Sequence, residues 1–278
     1  MTGRVLIVAG SDSGGGAGIE ADIKTVTALK GYAATAITAL TAQNTQGVSA
    51  IFPVPPDFVR QAMVAVLSDI GADCVKTGML HDAGVIAAVA DTLAALTPAV
   101  PLVVDPVMVA TSGTRLLDEG AIAVLKARLI PRATLLTPNL PEAEMLLGRP
   151  IAGADAMIEA AEALRALGAG AVMLKGGHLP GDLLRDVVVE AGARYVLESR
   201  RIPTRHTHGT GCTLASAIAT GLAQGMALRA AIERAHGFVQ RAIAAAPGYG
   251  KGRGPLGISC EESVVSGQFS VLSRAISY

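Results

Sequence analysis

Short runs of β-branched and aliphatic residues alternate along this chain with longer segments of helical period, and no other feature limits its fold so tightly. The runs cover residues 5–9, 34–40, 74–76, 102–105, 134–137 and 171–175. Between and after them, apolar residues recur every three or four positions over 19–29, 57–70, 82–96, 121–129, 155–167, 212–224 and 228–245. Strands that alternate with covering helices predict βαβ units, and so an α/β protein with a mostly parallel sheet clothed on both faces.

The chain can bury such a sheet. It has 278 residues, 51% of them hydrophobic, with aromatics at only 3% and no Trp, so Leu, Val, Ile and Ala must build the core. Twenty-three basic residues balance 23 acidic ones, which leaves no electrostatic footprint for a polyanion and argues against nucleic acid as a partner. The three cysteines, Cys74, Cys212 and Cys260, are far apart and make no CxxC or Cys/His cluster. That pattern predicts a reduced, cytoplasmic protein without a zinc site. The opening "RVLIVAG" is too short for a signal peptide, and no run of about 18 apolar residues predicts a membrane span.

Neither linker, charge block nor repeat divides the chain. A single domain is therefore expected over residues 1–257, with a strand excursion or edge flap near 32–56 around "PVPP". Residues 258–278 form a tail of unassigned role.

Polar, Gly-rich clusters fall at one end of every strand: "GSDSGGGAG", "TAQNTQG", "KTGML", "DPVM", "TPNLPE" and "KGGH" in order. Turn chemistry would account for one or two of them. A whole series at the carboxyl ends of the strands marks the edge where open α/β sheets bind ligands. The first cluster is not a dinucleotide fingerprint, because Ile19 stands where G-x-G-x-x-G needs its third glycine, and no P-loop motif occurs.

"GTGC", Gly209 to Cys212, opens an Ala-rich helix with glycines. Free backbone N–H groups and the positive end of the helix would make it an anion hole. There the helix terminus is expected to lower the Cys212 thiol pKa, fitting it for a base or nucleophile, although a cysteine opening an apolar helix also reads as a small buried hydrophobe. Lys175, at the end of a strand, suits a phosphate oxygen and is badly placed to be buried unpaired. Asn139 and Glu142 in "NLPE" supply oxygen ligands for Mg²⁺ through water, or else a helix start with Glu142 on its dipole. His206 and His208 flank the anion hole without metal spacing, so they receive no chemistry, nor do His81, His178, His236, Cys74 and Cys260.

Taken in order, "GSDSGGGAGIEADIKT", "ITALTAQNTQGV", "KTGML", "DPVM", "TPNLPEAEMLL", "LKGGH" and "HTHGTGCTL" resemble the hydroxymethylpyrimidine/phosphomethylpyrimidine kinases of the thiamine pathway, within the ribokinase-like fold. The resemblance runs from about Val5 to Pro255. It implies a three-layer ribokinase-like fold and ATP-dependent phosphorylation of 4-amino-5-hydroxymethyl-2-methylpyrimidine and then of its monophosphate. It also implies Mg²⁺, a homodimer, and leaves a monovalent cation open. By the same resemblance, Gly209, Thr210 and Gly211 would form the anion hole for the transferring phosphoryl group and Cys212 would accept the hydroxyl proton. Lys175 would contact the nucleotide phosphates, while Asn139 and Glu142 would organise Mg²⁺, directly or through water. Gln43 and Asp22 would hydrogen-bond the pyrimidine, with Met79 and Val107 packed on its ring.

The sequence departs from the family pattern at Ser13-Gly14, at Glu20, and after "GPL", where a His-rich ending is missing. Two rivals stand beside the kinase reading. A pyridoxal kinase shares fold and reaction, though the Gln43 amide, able to donate and accept, suits an aminopyrimidine better. A non-catalytic pyrimidine-binding regulatory protein is disfavoured by the presence of Lys175, Glu142 and Cys212.

Overall fold

Strand β1 (Arg4–Ala9) leads through helix α1 (Gly18–Ala28) to β2 (Tyr32–Ile37), its parallel neighbour on one side. The chain then leaves the main sheet for a hairpin, β3 (Ala39–Asn44) and β4 (Gly47–Pro53), which forms a separate two-stranded sheet. Helix α2 (Pro56–Asp69) carries it back to β5 (Cys74–Thr77) on the other side of β1. From there the sheet grows outward through α3 (Ala83–Leu96), β6 (Leu102–Val104), α4 (Glu119–Val124), β7 (Leu135–Leu136), α5 (Leu140–Leu147), α6 (Met157–Arg165) and β8 (Val172–Leu174). Two antiparallel strands follow, β9 (Leu183–Glu190) and β10 (Ala193–Arg200), before helices α7 (Thr210–Ala223) and α8 (Leu228–Ala244). Strand β11 (Ser273–Ala275) pairs antiparallel with β10. The computed structural model describes residues 2–97, 99–109, 116–259 and 273–275, so Cys260 and most of the tail from 258 to 278 lie outside the described residues.

The main sheet runs β11-β10-β9-β8-β7-β6-β5-β1-β2, with nine strands. Alternation along each strand splits its side chains between two cores. Leu6, Val8, Val75, Leu102, Val104, Leu136, Val172 and Leu174 face α2 through α6. Val5, Ile7, Cys74, Val103, Leu135 and Met173 face α1, α7 and α8. Both faces of the central strands are thus buried, which is why their sequences read as nearly continuous apolar runs. This is the three-layer, mostly parallel sheet expected from the sequence. No helix among the described residues is long and apolar enough to cross a membrane.

Several expectations are corrected. The predicted strand 34–40 is two elements: β2 ends at Ile37, and Thr38 turns the chain, its buried hydroxyl donating to Met79 O at 2.6 Å. The flap is therefore the hairpin from Ala39 to Pro53, while β2 belongs to the main sheet. The β9–β10 hairpin is not predicted from the sequence, because charged residues cut its strands, LLRDVVVE and ARYVLESR, into apolar pieces of two or three residues. Helix α5 went unseen for its brevity, at 8 residues.

Three elements are pinned by a buried charge. Lys76 Nζ lies 2.7 Å from Asp22 Oδ2 on α1, and both side chains are 0% exposed. Ser216 of α7 donates to the other oxygen, Oδ1, at 2.7 Å. Burial alone would lower the Lys76 pKa, but Asp22, with Cys212 and Asp105 beyond it, holds it above the ordinary value. Removing one partner strands the other charge in a dry interior. Asp22→Ala should accordingly lose about 3–5 kcal/mol of unfolding free energy, and the double change Asp22→Leu with Lys76→Met should recover most of that loss. Urea denaturation of the three proteins measures both quantities.

Candidate active site

The chain steps from β1 to β2 on one side and later to β5 on the other, so the loops leaving β1 and β5 diverge and open a crevice at the carboxyl edge. The loop after β1 folds around Asp12, which is 2% exposed. Asp12 Oδ1 accepts the Gly14 N–H at 2.8 Å, and Oδ2 accepts those of Gly16 and Ala17 at 3.1 and 2.9 Å. His208 Nε2 sits 2.8 Å from the same Oδ2. Burial raises the Asp12 pKa, yet the His208 and backbone donors outweigh it and hold the carboxyl below its usual range.

Through His208 that loop meets the entry of α7. Gly209, the N-cap of α7, has φ 84°, and a Cβ on it would stand 1.8 Å from Gly16 O. Only glycine fits there, both for the left-handed backbone and for the approach of the two loops. Behind it, Thr210 turns both its N–H and its hydroxyl to Thr207 O, at 3.3 and 2.7 Å. Of the expected trio Gly209, Thr210 and Gly211, Thr210 is thus turned back onto Thr207, while the N–H groups of Gly211 and Cys212 lie in the first turn of α7, where no carbonyl of the helix reaches them.

Gly211 lies against the site's cation. A Cβ on it would be 3.2 Å from Lys175 Nζ and 3.6 Å from Asp105 Oδ2. Lys175 donates to Asp105 Oδ1 at 3.0 Å, and Asp105, at the end of β6, also accepts from the Thr137 hydroxyl at 3.1 Å. Burial pulls the Lys175 pKa down, but Asp105 and Glu142 raise it above its ordinary value, so its charge is secure.

Asn139 and Glu142 form a capping box at the start of α5. Asn139 Oδ1 accepts the Glu142 N–H at 3.0 Å and Glu142 Oε2 accepts the Asn139 N–H at 2.8 Å, with Pro141 in the first turn. Glu142 is only 3% exposed. Its burial pushes the carboxyl up to about 7, Lys175 opposing and Asp105 adding to the rise. Two buried carboxylates against one ammonium leave the spot short of positive charge, which is the donor set a divalent cation suits. Among the described residues there is no ready-made cluster of three metal-ligating side chains.

Cys212 stands in the first turn of α7, and the backbone N–H of Gly18, the first residue of α1, is among the groups that favour its thiolate. Part of the residue still faces the crevice. Enough protein surrounds the thiol, however, that burial pushes it up to about 12, Lys76 opposing and Asp22 and Asp105 adding. The lowered thiol pKa expected from the helix terminus is overturned: partial backbone charges do not offset desolvation of a thiolate beside two carboxylates.

Met79, Ala39 and Leu116 form a small apolar cluster joined by Val107 and Ile51. Gln43 lies on the hairpin, where a bulge between Ala42 and Gln43 breaks the register. Ser13 clamps it, accepting the Gln43 N–H at 2.8 Å and donating to Gln43 O at 2.9 Å. Asp22, expected on the pyrimidine, is instead sealed under the site with both oxygens taken by Lys76 and Ser216. Sequence reasoning passed over Asp12, Lys76, Asp105 and His208. A buried Lys175 demanded a counter-charge, and Asp105 at a strand end in "DPVM" was the signal that could have supplied it.

Comparison with known proteins identifies a family. A family model described as phosphomethylpyrimidine kinase matches residues 12–257. The chain is 54% identical over 254 residues to the thiamine biosynthesis bifunctional protein ThiED of Geobacter sulfurreducens, covering 91% of this chain but 52% of that protein, about half its length. It is 49% identical over 259 residues to the hydroxymethylpyrimidine/phosphomethylpyrimidine kinase of Rhizobium meliloti, covering 92% of this chain and 97% of that one. In three dimensions it is similar to the pyridoxal kinase of Staphylococcus aureus in complex with AMP-PCP and pyridoxal, with a TM-score of 0.89, 32% identity, and coverage of 99% of this chain and 100% of the other.

The buried carboxyl of Glu142 has a thermal signature. Its folded value of about 7 lies above the ordinary 4.5, so the stability tied to its protonated form is complete below 4.5 and lost as pH rises through 7. Gln is a neutral mimic that keeps the acceptor. In ligand-free melts, the Tm of Glu142→Gln minus that of the wild type should therefore grow more positive from about pH 5 to about pH 8. A constant difference would show that Glu142 titrates as an ordinary carboxylate.

Proposed function

The chain belongs to the phosphomethylpyrimidine kinase family, and from that premise we propose how its crevice transfers a phosphoryl group from ATP to 4-amino-5-hydroxymethyl-2-methylpyrimidine, and then to the monophosphate, in thiamine biosynthesis. What supports the reading is a chain of contacts near the strand-reversal point: His208 touches Asp12 and Gln43 just before α7, and Gly211 in the first turn of α7 lies against Lys175.

The apolar cluster of Met79 and Val107 takes the ring's face, and Gln43 meets its polar edge. The substrate hydroxyl lies toward Cys212. Lys175 and the N–H groups of Gly211 and Cys212 draw charge from the transferring group as its bond to ADP breaks and its bond to the hydroxyl oxygen forms. Lys76 and Asp22 hold the floor beneath. The hydroxyl proton passes to Cys212 in its thiolate form, which the Gly18 N–H, the α7 terminus and Lys76 favour and which burial opposes. Mg²⁺ would be held by Glu142 and Asn139 through water, one oxygen of each being engaged in the cap of α5, and it would neutralise nucleotide charge. We take residues 1–257 as one kinase domain with the hairpin as its flap, acting in the cytoplasm as a homodimer. A pyridoxal kinase is the second reading, supported by the likeness to the Staphylococcus aureus enzyme.

A ³¹P assay with ATP and each of hydroxymethylpyrimidine and pyridoxal tests the assignment: turnover of the first should exceed that of the second, and the reverse outcome overturns it. The same assay tests Cys212. Because only the thiolate accepts a proton and the thiol titrates at about 12, log kcat should climb across pH 7 to 9 in the wild type. Cys212→Ala should keep its fold, lower kcat by about 10²-fold and flatten that climb. An equally steep profile in the variant would remove Cys212 from the proton's path.

A further inference from the structure

His208 touches more of the site than its place in the sequence suggests. It is 7% exposed, its N–H donates to Gly254 O at 3.2 Å, and its ring nitrogen Nε2 lies between Asp12 Oδ2 at 2.8 Å and the Gln43 amide at 3.2 Å. On its far side the same amide lies 3.3 Å from the Thr41 hydroxyl.

The two ends of a Gln side chain have the same shape, so the surrounding hydrogens decide which is oxygen and which is nitrogen. Asp12 Oδ2 already accepts the N–H groups of Gly16 and Ala17, and an ionised carboxylate has nothing to donate. The hydrogen at 2.8 Å therefore belongs to His208 Nε2, which then has no lone pair to offer Gln43. The amide end beside His208 must be the oxygen. At the other end, the single Thr41 hydroxyl hydrogen goes to Ser11 O at 2.9 Å, leaving only lone pairs for Gln43. The end beside Thr41 must be the NH₂. Both neighbours demand the same orientation.

We propose that His208 is a positioning residue that, with Thr41, locks the Gln43 amide with its oxygen toward His208 and its NH₂ toward Thr41, and so fixes the donor–acceptor edge by which the site selects its ring. One amide hydrogen and one oxygen lone pair remain for the ring. A ring that offers an amine beside a ring nitrogen can satisfy both, whereas a pyridine lacking that pair leaves them unmet. A freely turning amide would serve either ring. The inference rests on Gln43 reading the substrate, as set out above.

A double-mutant cycle separates the two ideas. kcat and KM for hydroxymethylpyrimidine and for pyridoxal are measured in the wild type, His208→Ala, His208→Gln, Gln43→Met and the pair Gln43→Met with His208→Ala. His208→Ala should cut the kcat/KM ratio of pyrimidine to pyridoxal about tenfold, mainly through KM for the pyrimidine. His208→Gln, whose NH₂ can still donate to Asp12, should hold the ratio within about threefold of wild type. In the Gln43→Met background, His208→Ala should move the ratio less than about twofold, because there is no amide left to orient. Thr41→Val, which frees the other end of the amide, should lower the ratio in the same way and carries the test if His208→Ala does not fold. An unchanged ratio in His208→Ala, or equal drops in both backgrounds, overturns the role of His208. If Gln43→Met itself leaves the ratio unchanged, Gln43 does not read the ring, and the inference falls together with that reading.

Discussion

A full positive charge with no solvent contact sits where β5, α1 and α7 meet, and the rest of the site depends on how it is compensated. Lys76 is neutralised by Asp22, and Asp22 is completed by Ser216. An isolated buried ion is too costly to keep, so the three elements can only come together in the register that closes this triad. That register sets Cys212, one turn before Ser216 on α7, over Lys76. It also brings the start of α1 close enough for the Gly18 N–H to favour the Cys212 thiolate. A pair that looks purely structural therefore fixes the reacting end of the crevice.

Around it, charges are arranged so that no group can be changed alone. Lys175 is held by Asp105, Glu142 feels both, and the thiol feels the carboxylates Asp22 and Asp105 against Lys76. In the resting protein this leaves a neutral thiol and a carboxyl poised near neutrality, an arrangement short of positive charge. Phosphoryl transfer asks little covalent work of a protein but much placement of charge, and a site that already holds the Lys175 ammonium beside more than one carboxylate is consistent with that demand.

Much of the fold was legible because its signal is local. Residues 5–9 and 102–105 read as strands since both their faces are buried, and the helices showed their period. The β9–β10 hairpin did not, because charged residues cut its strands into apolar pieces of two or three residues. In the site, Lys175, Gly211, Cys212 and Gln43 could be named from turn chemistry and resemblance. Asp22 could be named but not placed, since nothing in "GIEADIKT" tells that its carboxylate turns inward to a lysine 54 positions on.

By itself the sequence determined the layered α/β plan, the edge on which the functional loops gather and the helix that opens with glycines. Each follows from hydrophobic period and turn residues, which act over a few positions. Only the tertiary structure decided which charges meet. It drew His208 to Asp12 and Gln43, turned Thr210 back onto Thr207, locked Asn139 and Glu142 into a helix cap, and raised the Cys212 thiol where its helix alone would have lowered it. Electrostatic state depends on burial and on partners distant in sequence, and neither exists until the chain has folded.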